Sequence, residues 1–172
     1  MFLIHSTGKG FIHIPRTAGS FIESQCQSLD SYEKYHTHHA DIPNEFSHYE
    51  WHTVVRDPVE RFVSLYRFNQ MTQKMSTHNG DFASFIDHVW NKFEYHTRPQ
   101  VSFINKQTHC YIDPVDCVHA LGGKVTGGPI NRSKIPTPFV SKEHKTSIEW
   151  LYSQDLELFL SLKNRSLNQK NG

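Results

Sequence analysis

Two short stretches of this sequence concentrate residues that can hold anions. The first is His13-Ile-Pro-Arg-Thr-Ala-Gly-Ser20. A loop of small residues feeding a helix N-terminus aims main-chain N–H groups at one point, a geometry that binds phosphate or sulfate. Arg16 adds a cation, and Thr17 and Ser20 add hydroxyl donors. The GxxxxGK[ST] pattern of a Walker loop is not matched. A plain strand-turn-helix connection would account for the same residues. The second stretch is Val55-Arg-Asp-Pro-Val-Glu-Arg-Phe-Val-Ser-Leu-Tyr66. Arg56 can reach a phosphate through its guanidinium fork, and Ser64 through its hydroxyl. Against that, Arg56 can simply pair with Asp57 or Glu60. Arg61 and Arg67 read as surface charges or members of structural ion pairs.

These residues need elements to position them. Phe11-Ile-His-Ile14 reads as a short buried strand that ends at Pro15, and Ser20, Phe21, Ile22 and Leu29 read as a helix. Trp51-His-Thr-Val-Val55 is a second strand. Asp57 suits an N-cap, Pro58 the first helical position and Glu60 the capping-box position. Val59, Phe62, Val63 and Tyr66 then follow at helical spacing. Asp81 caps another helix, whose stripe of Phe82, Phe85, Ile86, Val89, Trp90 and Phe93 is core. Tyr111-Ile112 and Cys117-Val118 are expected as short strands around an Asp113-Pro114 turn. Ser141 caps a last helical region with Ile148, Leu151, Tyr152, Leu156 and Phe159 apolar. Strands alternating with helices imply a mostly parallel, helix-covered sheet. Ligands bind such sheets beyond the carboxyl ends of the strands, where both anion-binding stretches lie.

Composition excludes several classes. The 172 residues fit one domain, expected over 1–162, with a polar C-terminal tail over 163–172. Net charge is +1, so bulk charge points to no nucleic-acid or membrane partner. The N-terminus Met1-Phe-Leu-Ile-His-Ser6 lacks the pattern of a leader, and no run approaches membrane-spanning length. A soluble, cytoplasmic protein is the expectation. Cys26, Cys110 and Cys117 are too few and too scattered for a disulfide framework or a cysteine-rich zinc site, although Cys110 and Cys117 are spaced to close a small loop. Oligomeric state is not legible.

In this order the two stretches resemble the PAPS-dependent sulfotransferases, which use 3′-phosphoadenosine 5′-phosphosulfate. The resemblance is nearest to the carbohydrate-modifying branch that includes heparan sulfate 2-O-sulfotransferase and the chondroitin sulfotransferases. It implies a P-loop-like three-layer α/β fold with a short, mostly parallel sheet flanked by helices. It implies that Pro15, Arg16, Thr17, Ala18, Gly19 and Ser20 bind the 5′-phosphosulfate, as the family's I-P-K/R-T-x-G-[ST] loop does. Arg56 and Ser64 match the 3′-phosphate ligands of its R-[DN]-P-x-x-R-x-x-S-x-Y segment. Asn131-Arg-Ser-Lys134 is similar to an N-[KR]-S segment that closes over the nucleotide, which assigns Asn131 and Ser133. Tyr35-His-Thr-His38 resembles a segment that supplies a histidine base. Arg98-Pro99-Gln100 and Tyr152-x-x-Asp155-x-x-x-Phe159 resemble further family elements. Two features depart from the pattern. Arg16 stands where Lys is commoner, and the Gly-rich stretch from Val118 to Pro129 is short where relatives carry a Glu-containing strand end and a helix.

The chemistry so implied is in-line sulfuryl transfer from PAPS, leaving PAP, to a hydroxyl of a small molecule or oligosaccharide. Positioning and charge neutralisation would do most of the work. Arg16 would act on the transferring group. A histidine suits proton removal because its pKa lies near operating pH. His36, His38 and His39 are candidates. His38 is taken as the base with His36 as its neighbour, because an extended chain puts both on one face and His39 on the other. H-x-H spacing can also hold a metal, but no carboxylate or cysteine set completes a site, and none is expected. His13 is expected to pack beside the sheet. The alternatives are a P-loop-like nucleotide kinase or phosphotransferase and a non-catalytic nucleotide- or glycan-binding domain.

Overall fold

The computed structural model describes residues 1–35, 42–72, 80–128 and 134–170, with the backbone alone at 169 and 170. The chain opens with two three-residue strands, β1 (Phe2–Ile4) and β2 (Lys9–Phe11), joined through a single 3₁₀ turn at His5–Thr7. Gly8 closes that turn at φ 61°, where a side chain would be strained. So short a connection can only reverse the chain, and β1 pairs antiparallel with β2. After helix α1 (Gly19–Cys26), β3 (Tyr32–Lys34) pairs antiparallel with β1 on its other side. β4 (Glu50–Val54) lies parallel to β2, and β5 (His109–Tyr111) parallel to β4. The order is β3-β1-β2-β4-β5, a mixed sheet. The mostly parallel sheet expected from the sequence is therefore corrected: β1, not foreseen as a strand, brings two antiparallel pairings.

The remaining helices are α2 (Pro58–Thr72), α3 (Phe82–Asn91), α4 (Pro114–Ala120), α5 (Lys142–Leu151) and α6 (Ser153–Lys170). Their starts follow side-chain caps. Asp57 Oδ1 accepts from the N–H of Val59 at 2.9 Å and of Glu60 at 3.1 Å. Asp81 caps α3 through Ser84 N–H, and Ser141 caps α5 through His144 N–H. Cys117-Val118, expected as a strand, lies in α4, because Asp113 caps Val115 N–H and Pro114 sits at the first turn. All three cysteines are free thiols. The polar residues from Lys163 to Lys170 continue α6.

Alternation along the strands sorts the core. Phe2, Ile4, Phe11 and Val54 face α1 and α4, meeting Phe21, Ile22, Cys26, Cys117 and Val118. Leu3, Ile12, Ile14 and Trp51 pack with Phe103 and with Tyr35, Phe46 and Tyr95, which come from loops and 3₁₀ turns. Helices α2, α3 and α5, with Tyr152 at the end of α5, build a separate cluster around Phe62, Phe85 and Ile86. Among the described residues no helix is long and apolar enough to cross a membrane.

Gly10 lies opposite Trp51 in the parallel pair, and a Cβ there would stand 2.5 Å from the Trp51 ring. Gly10→Ala is expected to destabilise the fold by about 1–3 kcal/mol through overpacking. Urea melts check this: the midpoint should fall while the slope holds.

Candidate active site

The strand expected over Phe11–Ile14 stops pairing as a ladder at Phe11, but Ile12 still donates its N–H to His52 O at 2.9 Å. The chain then turns sharply. Arg16 and Ala18 both adopt left-handed backbone, at φ 67° and 71°. For residues with a Cβ this costs on the order of 1 kcal/mol each. Thr17 locks the turn: its hydroxyl donates to Ile14 O at 2.9 Å, and the residue is 1% exposed. The Thr17 hydroxyl expected as an anion donor is therefore spent on the loop itself. Among the described residues, none accepts from the main-chain N–H groups of Thr17, Ala18, Gly19 or Ser20. These groups form the open start of α1. Gly19 is required by close approach, since a Cβ would sit 2.1 Å from Cδ2 of His13.

The second stretch meets this loop directly. Arg16 Nε donates to Ser64 Oγ at 3.1 Å, and the Arg16 guanidinium lies 4.9 Å from the centroid of Phe68, one turn further along α2. Burial lowers the pKa of Arg16, and the charges of Arg56 and Arg67 lower it further. Cations from both stretches thus face one another across the loop. Arg56 is part-exposed and its Nε donates to Glu60 Oε2 at 3.2 Å, the local pairing that competes with a ligand role. Its main chain is fixed by Gln100, which accepts from Arg56 N–H at 2.9 Å and donates to Arg56 O at 2.8 Å. Arg67 Nε donates to Ile135 O at 2.7 Å.

Arg61 is not a surface charge. It is 1% exposed and donates to Pro15 O at 3.1 Å, and to His96 O and Arg98 O at 3.0 Å each. Its far nitrogen lies 4.0 Å from Asp155. Asp155 in turn accepts from the N–H groups of Gln100 and Val101 at 2.8 and 3.0 Å, while Tyr152 donates its hydroxyl to Thr97 O at 2.6 Å. The Tyr152/Asp155 element therefore clamps the Arg98-Pro99-Gln100 turn, which holds Arg56. Burial raises the Asp155 carboxyl and lowers Arg61, and each partner's charge opposes that shift.

A cavity of about 380 Å³ opens beside the loop. His13, Arg16 and Ser20 line it together with Phe68, Tyr95, His96 and Phe103. The aromatic lining was missed from sequence. Phe68 alone had a local signal, its place four residues after Ser64. His36, His38 and His39 lie outside the described residues, as do Asn131 and Ser133. Among the described residues no group of three or more His, Cys, Asp or Glu is placed to hold a metal ion.

A family model described as "Sulfotransferase family" matches residues 10–115, more than half of the chain and a span that holds both anion-binding stretches. The chain belongs to the sulfotransferase family. No curated protein and no solved structure matches it.

Asp155→Ala should destabilise the protein by about 3–5 kcal/mol, because it strands a buried guanidinium and two buried N–H groups. Denaturant melts would measure the loss. A cost under about 1 kcal/mol would mean that the Arg61–Asp155 link carries little of the fold.

Proposed function

We propose that this protein transfers a sulfuryl group from PAPS to an acceptor hydroxyl, most naturally of a carbohydrate, by in-line displacement with a histidine as base. The single observation that carries the reading is the junction of the two stretches at Arg16 and Ser64, where cations converge on N–H groups that have no described partner. Those residues fit an anionic nucleotide: they offer positive charge and unfilled donors, and the described carboxylate paired with Arg56 is the exposed Glu60. Bound PAPS would supply an activated sulfuryl group.

The chain's own residues would act as follows. The N–H groups at the start of α1 and the Arg16 guanidinium would bind the 5′-phosphosulfate and stabilise charge on the leaving phosphate. Arg56, released from Glu60, and Ser64 would bind the 3′-phosphate. Pro15, Thr17, Ala18 and Gly19 would shape the loop, and Ser20 would add a hydroxyl. Asn131 and Ser133 would close over the nucleotide. His38, supported by His36, is the base that the family resemblance suggests, and His39→Ala serves as a silent control.

PAP should bind more tightly than AMP, because only PAP engages the second stretch. Arg56→Ala should cost more than Ser64→Ala, since a charge-assisted bond contributes about 1.5–3 kcal/mol against about 1 for a neutral one. Calorimetric titration decides this, and equal affinities for PAP and AMP in the wild type would overturn the reading. Turnover of labelled PAPS separates an enzyme from a binding domain.

Arg16→Ala should lower kcat by about 10²–10³. It should leave Tm near wild type, since the bond to Ser64 and the contact with Phe68 are offset by the partial burial of the charge and its repulsion from Arg56 and Arg67. Arg16→Lys should keep activity. A folded but inactive Lys variant would show that the guanidinium fork itself is needed.

A further inference from the structure

Resting on the sulfotransferase reading above, we propose that the cavity beside the first stretch is the acceptor site, and that Glu23 and Lys34 make it specific for an uncharged sugar unit over an anionic one. The cavity meets only one of the two anion-binding stretches. Arg16 and Ser20 are in its described lining, and Arg56 and Ser64 are not. Arg16 stands between the two regions, with its Nε on Ser64 Oγ and the residue itself in the cavity wall. A nucleotide held at Arg56 and Ser64 by its 3′-phosphate therefore presents only its sulfuryl end here, and the room beyond is left for the acceptor. At about 380 Å³ that room is at the small end of ligand cavities, which run from about 300 to 1,000 Å³, so it suits one sugar unit rather than a chain.

The second observation is a matched donor and acceptor on the wall. Lys34 Nζ of β3 donates to Glu23 Oε1 of α1 at 2.5 Å, and the Tyr32 hydroxyl donates to the same oxygen at 3.2 Å. The other carboxylate oxygen, Oε2, accepts from no described residue. Lys34 keeps N–H donors to spare, since an ammonium carries three. A hydroxyl both donates and accepts, so one that donates to Oε2 and accepts from Nζ satisfies both groups. A carboxylate or sulfate can only accept, and it would bring a second negative charge against Glu23. Half-buried Tyr35, Phe68 and Tyr95 add ring surface for the C–H face of a sugar.

The charge around this pair supports the same selection. Burial alone would raise the Glu23 carboxyl, but the bonds from Lys34 and Tyr32 outweigh it and hold it below the ordinary value, so it is ionised near pH 7. Burial leads in lowering His13 to about 4, which leaves that ring neutral. Burial also lowers the Met1 amine in the same wall, towards its uncharged form. The cationic side chains of the described lining are thus Arg16, assigned to the transferring group, and Lys34, already matched by Glu23. Neither is left uncompensated for an anion on the acceptor.

Turnover of labelled PAPS by the full chain tests this with paired 4-nitrophenyl glycosides, glucoside with glucuronide and galactoside with galacturonide. The members of each pair differ only in a carboxylate for a hydroxymethyl group. The wild type should favour the neutral member in kcat/KM by about tenfold or more. Glu23→Gln frees Lys34 and should reduce that preference by about 10- to 100-fold, the worth of one charge-assisted bond. Lys34→Gln leaves Glu23 uncompensated and should sharpen the preference. It should also raise KM for the neutral member more than it lowers kcat, because the pair binds the acceptor rather than the sulfuryl group. A purely structural role would shift both members of a pair alike. Neither substitution should weaken PAP binding in calorimetric titration. The proposal is overturned by a wild type that is faster on the uronides, or by a preference that Glu23→Gln leaves unchanged. It is equally overturned if PAP affinity falls with either substitution, or if a wild type that binds PAP sulfates none of the four probes. Failure of the wild type to bind PAP at all would instead remove the sulfotransferase reading itself.

Discussion

The buried guanidinium of Arg61 is the constraint on which the candidate site depends. A charge taken out of water is costly unless its donors are satisfied. Here they are satisfied by main-chain carbonyls from separate segments, Pro15 before the loop and His96 and Arg98 before the second turn, with Asp155 of α6 as the nearby counter-charge. Arginine suits this place because its fork presents five N–H donors in fixed directions and cannot lose its charge. The guanidinium ties Pro15 of the first stretch to the helix that carries Ser64. The same contact fixes the turn whose Gln100 grips the main chain of Arg56.

Rigid support at Arg61 makes the neighbouring strain tolerable. Two left-handed residues, Arg16 and Ala18, and the repulsion of Arg16 by Arg56 and Arg67 are unfavourable by themselves. They persist because Thr17 is pinned inside the turn and because Phe68 and Ser64 hold Arg16 in place. The outcome is a preorganised positive site whose repulsion an anion would relieve. Preorganisation of this kind places donors before the ligand arrives, so little rearrangement opposes binding.

How far the sequence spoke depended on the range of each signal. Local signals were readable: Asp57-Pro58, Asp81 and Ser141 mark helix starts because a cap needs only the next three residues. The same Asp-Pro signal at 113–114 was read as a turn, since Cys117-Val118 looks like strand by residue type, and the core contact that makes it helical comes from α1. β1 escaped notice because three residues show no periodicity, and its partners are set by Gly8 and by β3. Arg56 and Ser64 were visible as types at a spacing, and the Arg16–Ser64 contact bears out that the two stretches converge. Of the two readings open for Arg61, surface charge or structural ion-pair member, the structure supports the second, with Asp155 at 4.0 Å; its burial was not legible because a motif reveals a charge but not the carbonyls that surround it. The histidine pair at 36 and 38 rests on resemblance alone.

The way Arg61 is held also separates what can vary from what cannot. Its hydrogen-bond acceptors at Pro15, His96 and Arg98 are backbone oxygens, which every amino acid carries. The side chain at 96, which lines the cavity, can therefore be exchanged to reshape it without removing the carbonyl that Arg61 uses. Position 61 has no such freedom, because no other side chain reaches those carbonyls with the same spread of donors. The architecture thus concentrates intolerance at one interior point and leaves the wall of the cavity open to diversification, an arrangement under which a descendant could acquire a new acceptor by surface changes alone.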